Sequence, residues 1–341
     1  MAADVDLHTL VVGREAMACR FEIAFNAGEL PDDTALAVDA LDLVEEIEGR
    51  LTIYRDTSEL ARLNATAAAD WQPVSHDLFA LLVRARELYE LTGGGFDIAA
   101  GPLVRAWGFL HRQGRTPQPE ELTTALGRSG MHRVELDPAG RRVRFTTPGL
   151  EINPGAIGKG WAIDRVIDRL VAAGGRSMLV HGGSSSVRAT GIQGPDLPGR
   201  RGWRVGLRHP LRPGRRLATI TLMDRALGTS GSGTQFFIER GRRLGHILDP
   251  RTGRPAEGVL SATVIAPTAA DADALATALY VLGPEGLARI APPAGPVAAV
   301  LVLPGGPAGG VRVTTVNLGP ADIAIEAAAD VEVVSATEAP S

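Results

Sequence analysis

The punctuation of its apolar segments limits what this chain can fold into. Short runs of strand-like alternation are closed by Gly and Pro turns, and helical stretches of 3.6-residue periodicity are interspersed among them. Residues Leu10 to Phe25 place Phe21, Ile23 and Phe25 on one face of one or two strands, and Val134 to Thr146 reads as a hairpin. Further strands are expected at 177–180, 187–191, 203–207, 217–222, 235–239, 261–266, 297–303 and 311–316. Four helices interrupt them: one from Asp33 or Thr34 to about Gly49, His76 to Thr92 behind Ser75 as cap, Lys159 to Ala173, and one begun by Thr268. Hairpin strands mixed with separate helices define an α+β fold. No repeat of 20–50 residues is visible, and the 341-residue chain is long enough for one large core or two.

Charge excludes several functions. The net charge of −4 is spread without a basic block, which points away from nucleic acid and anionic membranes, and no run of about 18 apolar residues suggests a transmembrane helix. The single cysteine, Cys19, excludes an internal disulfide and a multi-cysteine metal site. Ala16-Met17-Ala18-Cys19 faintly resembles a lipoprotein cleavage site, but Asp4, Asp6 and Arg14-Glu15 interrupt the apolar stretch an export signal needs. A cytoplasmic protein is expected. From about Gly319 the chain carries five acids and no base, and 319–341 reads as a disordered acidic tail behind a folded unit of 8–318.

Of 35 Lys plus Arg residues only Lys159 is lysine. Arginine replaces lysine readily on a solvated surface, but not where a slim ammonium must reach an anion. The alternative is that one lysine survived by chance on a helix face. Lys159 follows Asn153-Pro154-Gly155-Ala156-Ile157-Gly158, a Gly-rich turn into a helix and so a candidate anion site, yet Gly160 follows where a Walker A loop has Ser or Thr. Asp273 and Thr277, four apart, share a helix face as a hard-cation site requires, or as any exposed acid on an amphipathic helix would. Asp271 reads as a capping-box partner of Thr268. Tyr54 is a core-edge aromatic or a platform for a ring, and Gly95-Phe96-Asp97 allows close backbone approach or a sharp turn. Gly228–Gly233 reads as a flexible polar loop, and Asp249-Pro250-Arg251-Thr252-Gly253 as a β-turn.

In order along the chain, seven motifs carry a resemblance. They are Ala16–Phe21, Tyr54 with Ser58-Glu59-Leu60, Gly95-Phe96-Asp97 before Gly101-Pro102, Gly155–Gly160, the His181–Gly191 hairpin, His246–Gly253, and Ala266-Pro267-Thr268 with Asp273–Leu279. This set, from Ala16 to Leu303, resembles the ApbE family of FAD:protein FMN transferases. The resemblance implies two closely associated lobes of mixed and antiparallel sheets with flanking helices, and FAD between them. It implies flavin contacts at Met17, Tyr54, Gly95, Phe96 and Asp97, FAD-facing positions at Asn153 and Lys159, and a further contact at Ile247. It also implies Mg2+ held by the Ala156 carbonyl, Asp273 and Thr277. The reaction implied moves FMN from FAD to a Ser or Thr hydroxyl of an acceptor protein, with AMP released. Lys159 then stabilises phosphate charge, and His246 is the candidate base, or else a histidine bracing the Asp249 turn. An FAD pyrophosphatase and a flavin carrier without turnover are the alternatives. The chain departs from the family pattern at Ser184 after Gly182-Gly183, where many members carry an acid, at Asn153 for Asp, and at Ala18-Cys19-Arg20 for Gly-Thr-Thr.

Overall fold

A computed structural model describes residues 9–29, 32–111, 113–195, 201–231, 235–239 and 241–335. The fold is mixed α+β, built on one nine-stranded sheet. Across it the strands run Thr9–Ala16, Cys19–Asn26, Met178–Gly182, Ser186–Thr190, Arg225–Gly231, Ser261–Ala266, Ala298–Gly306, Gly310–Val316 and Val331–Ser335. Every neighbouring pair is antiparallel except the last, which is parallel.

Alternation along the strands sends successive side chains to two different cores. Ala226, Val264 and Ala299 join Ile163, Val166, Leu275 and Leu279 of the helices, together with the Leu41, Val44 and Ile47 stripe of Asp33–Leu51. Their neighbours Leu227, Ile265 and Val300 face the other way, onto Trp203, Leu217 and Ile220. Those residues belong to a second sheet, in the order Ile323–Ile325, Arg212–Leu222, Trp203–His209. The large sheet is therefore covered by helices on one face and by a small sheet on the other. Among the described residues no helix is long and apolar enough to cross a membrane.

The first two strands join through Met17 and Ala18, with φ of 48° and 57° and Ala16 paired to Cys19. Two consecutive left-handed residues make the primed turn that suits a two-residue hairpin, at a strain that glycine would avoid. A hydrogen bond of 2.8 Å from the Met17 amide to Glu48 Oε2 holds the turn.

Two expectations are corrected. The stretch after Gly319 is not a disordered tail as far as Ser335, because it supplies the strands Ile323–Ile325 and Val331–Ser335. Its acids find their bases elsewhere in the chain: Asp330 lies 3.1 Å from Arg212 and 3.3 Å from Arg215, and Glu332 lies 3.2 Å from Arg312. Residues 336–341 lie outside the described residues, as does residue 8 at the start of the expected folded unit. The segment Gly228–Gly231 is likewise not a loop but part of a central strand, while Ser232 and Gly233 lie outside the described residues.

Glycine at 228 answers a packing demand. A Cβ there would sit 2.4 Å from backbone atoms of Ala272, so the helix Ala269–Leu282 lies directly against the strand. We expect Gly228→Ala to destabilise the protein by roughly 1–3 kcal/mol through overpacking, read from urea unfolding; an unchanged midpoint would mean that the helix moves away freely.

Candidate active site

Two helices bring their N-termini together on the helical face of the large sheet. Gly158–Ala172 carries Lys159 at its second position, and Ala269–Leu282 carries Asp273 and Thr277. A helix start leaves amide donors without intrahelical acceptors. Here each helix supplies a carboxylate to the other.

Asp164, from the Lys159 helix, accepts from the amides of Ala269 at 2.8 Å and Ala270 at 2.9 Å. The Thr268 hydroxyl takes the amide of Asp271, as expected of a cap. The Asp271 carboxylate does not complete a capping box, because it is drawn to the Arg84 guanidinium at 2.7 and 3.0 Å. Arg188 reaches Asp164 at 2.8 Å from the strand Ser186–Thr190. Burial pushes the Asp164 carboxyl up, and the two amides and Arg188 oppose that shift.

Asp273 returns the contact. Its Oδ2 accepts from the Gly160 amide and from the Ser186 hydroxyl, both at 2.9 Å, and its residue is only 7% exposed. Among the described residues nothing donates to its Oδ1. Burial raises its carboxyl, while the Lys159 ammonium, Ser186 and Gly160 lower it. The Thr277 hydroxyl donates to the Asp273 carbonyl at 3.1 Å and lies 3.1 Å from the Ser230 hydroxyl.

The Gly160 bond has a second effect. In an unperturbed helix that amide would turn back four residues to the carbonyl of Ala156. It is given to Asp273 instead, and among the described residues no donor reaches the Ala156 carbonyl. Pro154 accepts from Ile157 and Gly158, and the Asn153 side chain accepts from Gly155 at 3.0 Å, which together shape the turn. The Lys159 amide has no acceptor and its ammonium forms no ion pair among the described residues. Its charge is nonetheless felt by Asp273, Cys19 and His246. The unshared Ala156 carbonyl thus lies three residues before Lys159 and its open amide, and the Asp273 carboxylate is bonded to the next residue, Gly160.

His246 is part-buried, and its Nδ1 lies 3.0 Å from the carbonyl of Gln235. A carbonyl only accepts, so Nδ1 carries the proton and Nε2 keeps its lone pair. Burial and the Lys159 charge push the His246 pKa down, with the Gln235 bond opposing. It does not brace the Asp249 turn, which is closed by its own bonds from Arg251, Thr252 and Gly253. Ile247 is half-buried against the main core, and its carbonyl accepts from Ala256.

The remaining positions expected to contact flavin are arranged differently from one another. Tyr54 stands 69% exposed. Met17 is half-buried in the strained turn. Phe96 is 1% exposed, so its ring is part of the core, while a Cβ on Gly95 would meet Leu282 at 2.8 Å. Asp97 accepts from the Ala99 and Met131 amides, and burial pushes its carboxyl up to about 6. This segment touches the Lys159 turn through Asn153, whose amide donates to Ile98 at 2.7 Å. A cavity of 510 Å³ elsewhere, lined by Arg50, Thr57, Glu59 and Arg62 among others, includes none of these residues.

Sequence reasoning did not single out Asp164, Ser186 or Ser230. Asp164 stands in the conspicuous Lys159 stretch, but the helix amides it accepts from lie more than 100 residues away.

The chain matches the family model described as ApbE family over residues 17–301. It is 36% identical over 258 residues to an FAD:protein FMN transferase of Treponema pallidum, covering 72% of this chain and 71% of that one. With the FAD:protein FMN transferase of Vibrio cholerae it shares 32% over 260 residues, covering 75% and 76%. Among solved structures, the apo flavinyl transferase ApbE of Pseudomonas stutzeri superposes with a TM-score of 0.79 at 29% identity, covering 91% of this chain and 95% of the other. The flavin transferase ApbE from Vibrio cholerae gives 0.77 at 27% identity, covering 91% and 98%.

Asp164→Ala would leave Arg188 without its buried partner and two helix amides without an acceptor. We expect a loss of about 3 kcal/mol in unfolding free energy, measured by denaturant titration; a loss below about 0.5 kcal/mol would show that the two helices are held together by apolar packing alone.

Proposed function

The chain belongs to the ApbE family, and from this we propose that it is a Mg2+-dependent FAD:protein FMN transferase, moving FMN from FAD to a Ser or Thr hydroxyl of an acceptor protein and releasing AMP. What carries the reading beyond family membership is the diverted Gly160 amide. It frees the Ala156 carbonyl and fixes the Asp273 carboxylate beside the chain's only lysine.

The donor set suits Mg2+. Among the described residues no three His, Cys, Asp or Glu side chains cluster to hold a metal. One carboxylate, one carbonyl and one hydroxyl therefore leave most positions to water and phosphate oxygens, the usual arrangement for this ion. Asp273, Thr277 and Ala156 would hold it, and it would supply charge stabilisation to the pyrophosphate.

Lys159 contributes the second positive charge, with its own open backbone amide at the helix start available to the same anion. The exposed Tyr54 face and the backbone at Gly95 would position the flavin. The acceptor hydroxyl forms a bond to the FMN-side phosphorus, the bond from that phosphorus to the bridging oxygen breaks, and AMP departs. The hydroxyl proton passes to Nε2 of His246, which the Gln235 carbonyl keeps in the accepting tautomer.

Two measurements test the reading. The protein is incubated with FAD, Mg2+ and an acceptor peptide bearing a Ser/Thr motif, and intact mass is read for an FMN adduct. Asp273→Ala and Lys159→Arg are expected to lose turnover; AMP release without adduct indicates the hydrolase, and full activity of both variants sinks the assignment. Because His246 must be neutral to accept, and its pKa is held low, the rate should rise with pH along an acid limb centred below the ordinary histidine value of about 6.5 and stay level above it. In His246→Gln that limb should vanish, with about 10²–10⁴-fold less rate.

A further inference from the structure

Neither Ser186, inside the His181–Gly191 hairpin, nor Ser230 has been given a role so far, yet both touch the residues that the preceding reading makes metal ligands. They stand on neighbouring strands: Ser186 pairs directly with Gly228 in the ladder, and Ser230 is two residues further along the same strand. The period of two turns Ser230 to the same face as Gly228, toward the Asp273 helix.

Ser186 is fully buried, at 0% exposed. A hydroxyl in that setting loses its hydration and must recover it through a specific bond, whereas an alanine would fill the place without that requirement. Its hydroxyl donates to Asp273 Oδ2 at 2.9 Å, and the Gly160 amide donates to the same oxygen. A carboxylate oxygen has about two acceptor directions, so both of those on Oδ2 are taken. The carboxylate is locked in rotation and its negative charge is presented through Oδ1.

The Thr277 side obeys the same counting. Its single hydroxyl proton goes to the Asp273 carbonyl at 3.1 Å. The 3.1 Å contact with Ser230 must then run from Ser230 to Thr277. One lone pair of Thr277 accepts that bond and one is left free.

We propose that Ser186 and Ser230 are positioning residues that aim the remaining lone pairs of Asp273 and Thr277 at the cation, so that metal affinity is set from the sheet beneath the site. This rests on the metal reading above, and the test separates the two. Partners of metal ligands of this kind typically change metal affinity about 10–100-fold when removed.

Mn2+ binding is measured by electron paramagnetic resonance in the presence of FAD and the absence of acceptor, for the native protein, Ser186→Ala, Ser230→Ala, Ser230→Thr and Asp273→Ala. The expected result is Mn2+ affinity about 10–100-fold weaker in each alanine variant at serine, recovery in Ser230→Thr, which keeps the hydroxyl, and melting temperatures without metal close to native. If Ser186→Ala fails to fold, Ser186→Cys, near in size but a weak donor, takes its place with the same expected loss. Native Mn2+ affinity in the serine variants, with binding lost in Asp273→Ala, overturns the positioning role and keeps the metal site. Native affinity in Asp273→Ala overturns the metal assignment itself. A loss in Ser230→Thr equal to that in Ser230→Ala overturns the role of the hydroxyl.

Discussion

Two helix starts cap each other, and the candidate site takes its geometry from that exchange. Asp164 of one helix takes the first two amides of the other, and Asp273 of the second takes the third amide of the first. A carboxylate at a helix N-terminus is stabilised by the partial positive charge there. Exchanging carboxylates in both directions fixes the separation and the rotation of the pair. The close approach this requires is met by small residues: a Cβ on Gly160 would lie 2.1 Å from the Ala269 carbonyl oxygen, and one on Gly228 would meet Ala272.

The same exchange converts a structural bond into an opening at the candidate site. An amide spent on Asp273 is not spent on Ala156, and an oxygen of Asp273 that is bonded on one side is presented on the other. The Ser186 and Ser230 hydroxyls hold Asp273 and Thr277 from the strands beneath. The large sheet underneath contributes rigidity, because its opposite face is covered by the second sheet rather than by solvent.

Much of the fold is legible in the sequence wherever local pattern decides. His76–Thr92 runs between its expected cap Ser75 and the left-handed Gly93, and the strands of the hairpins fall close to their predicted places. Local pattern fails where the partner is distant. Gly228–Gly231 has a loop's composition, but that composition serves a helix packed against a central strand. The acids after Gly319 resemble a disordered tail only while Arg212, Arg215 and Arg312 are out of view. In the candidate site, Lys159 stands out by type and Asp273 and Thr277 only through the family motif, since their spacing equally suits an exposed acid on an amphipathic helix, whereas Ser186 among three serines carries no signal of its own. Phe96 shows the converse, since it belongs to a motif yet its ring lies in the core.

The isolation of Lys159 has a practical side. Because every other basic side chain is arginine and this ammonium is unpaired among the described residues, amine-directed acylation has a single side-chain target in the protein. A reagent that ordinarily decorates a whole surface would here leave one side-chain adduct, told apart from an α-amine adduct by peptide mapping, and its rate would record how far the Lys159 ammonium is open or covered.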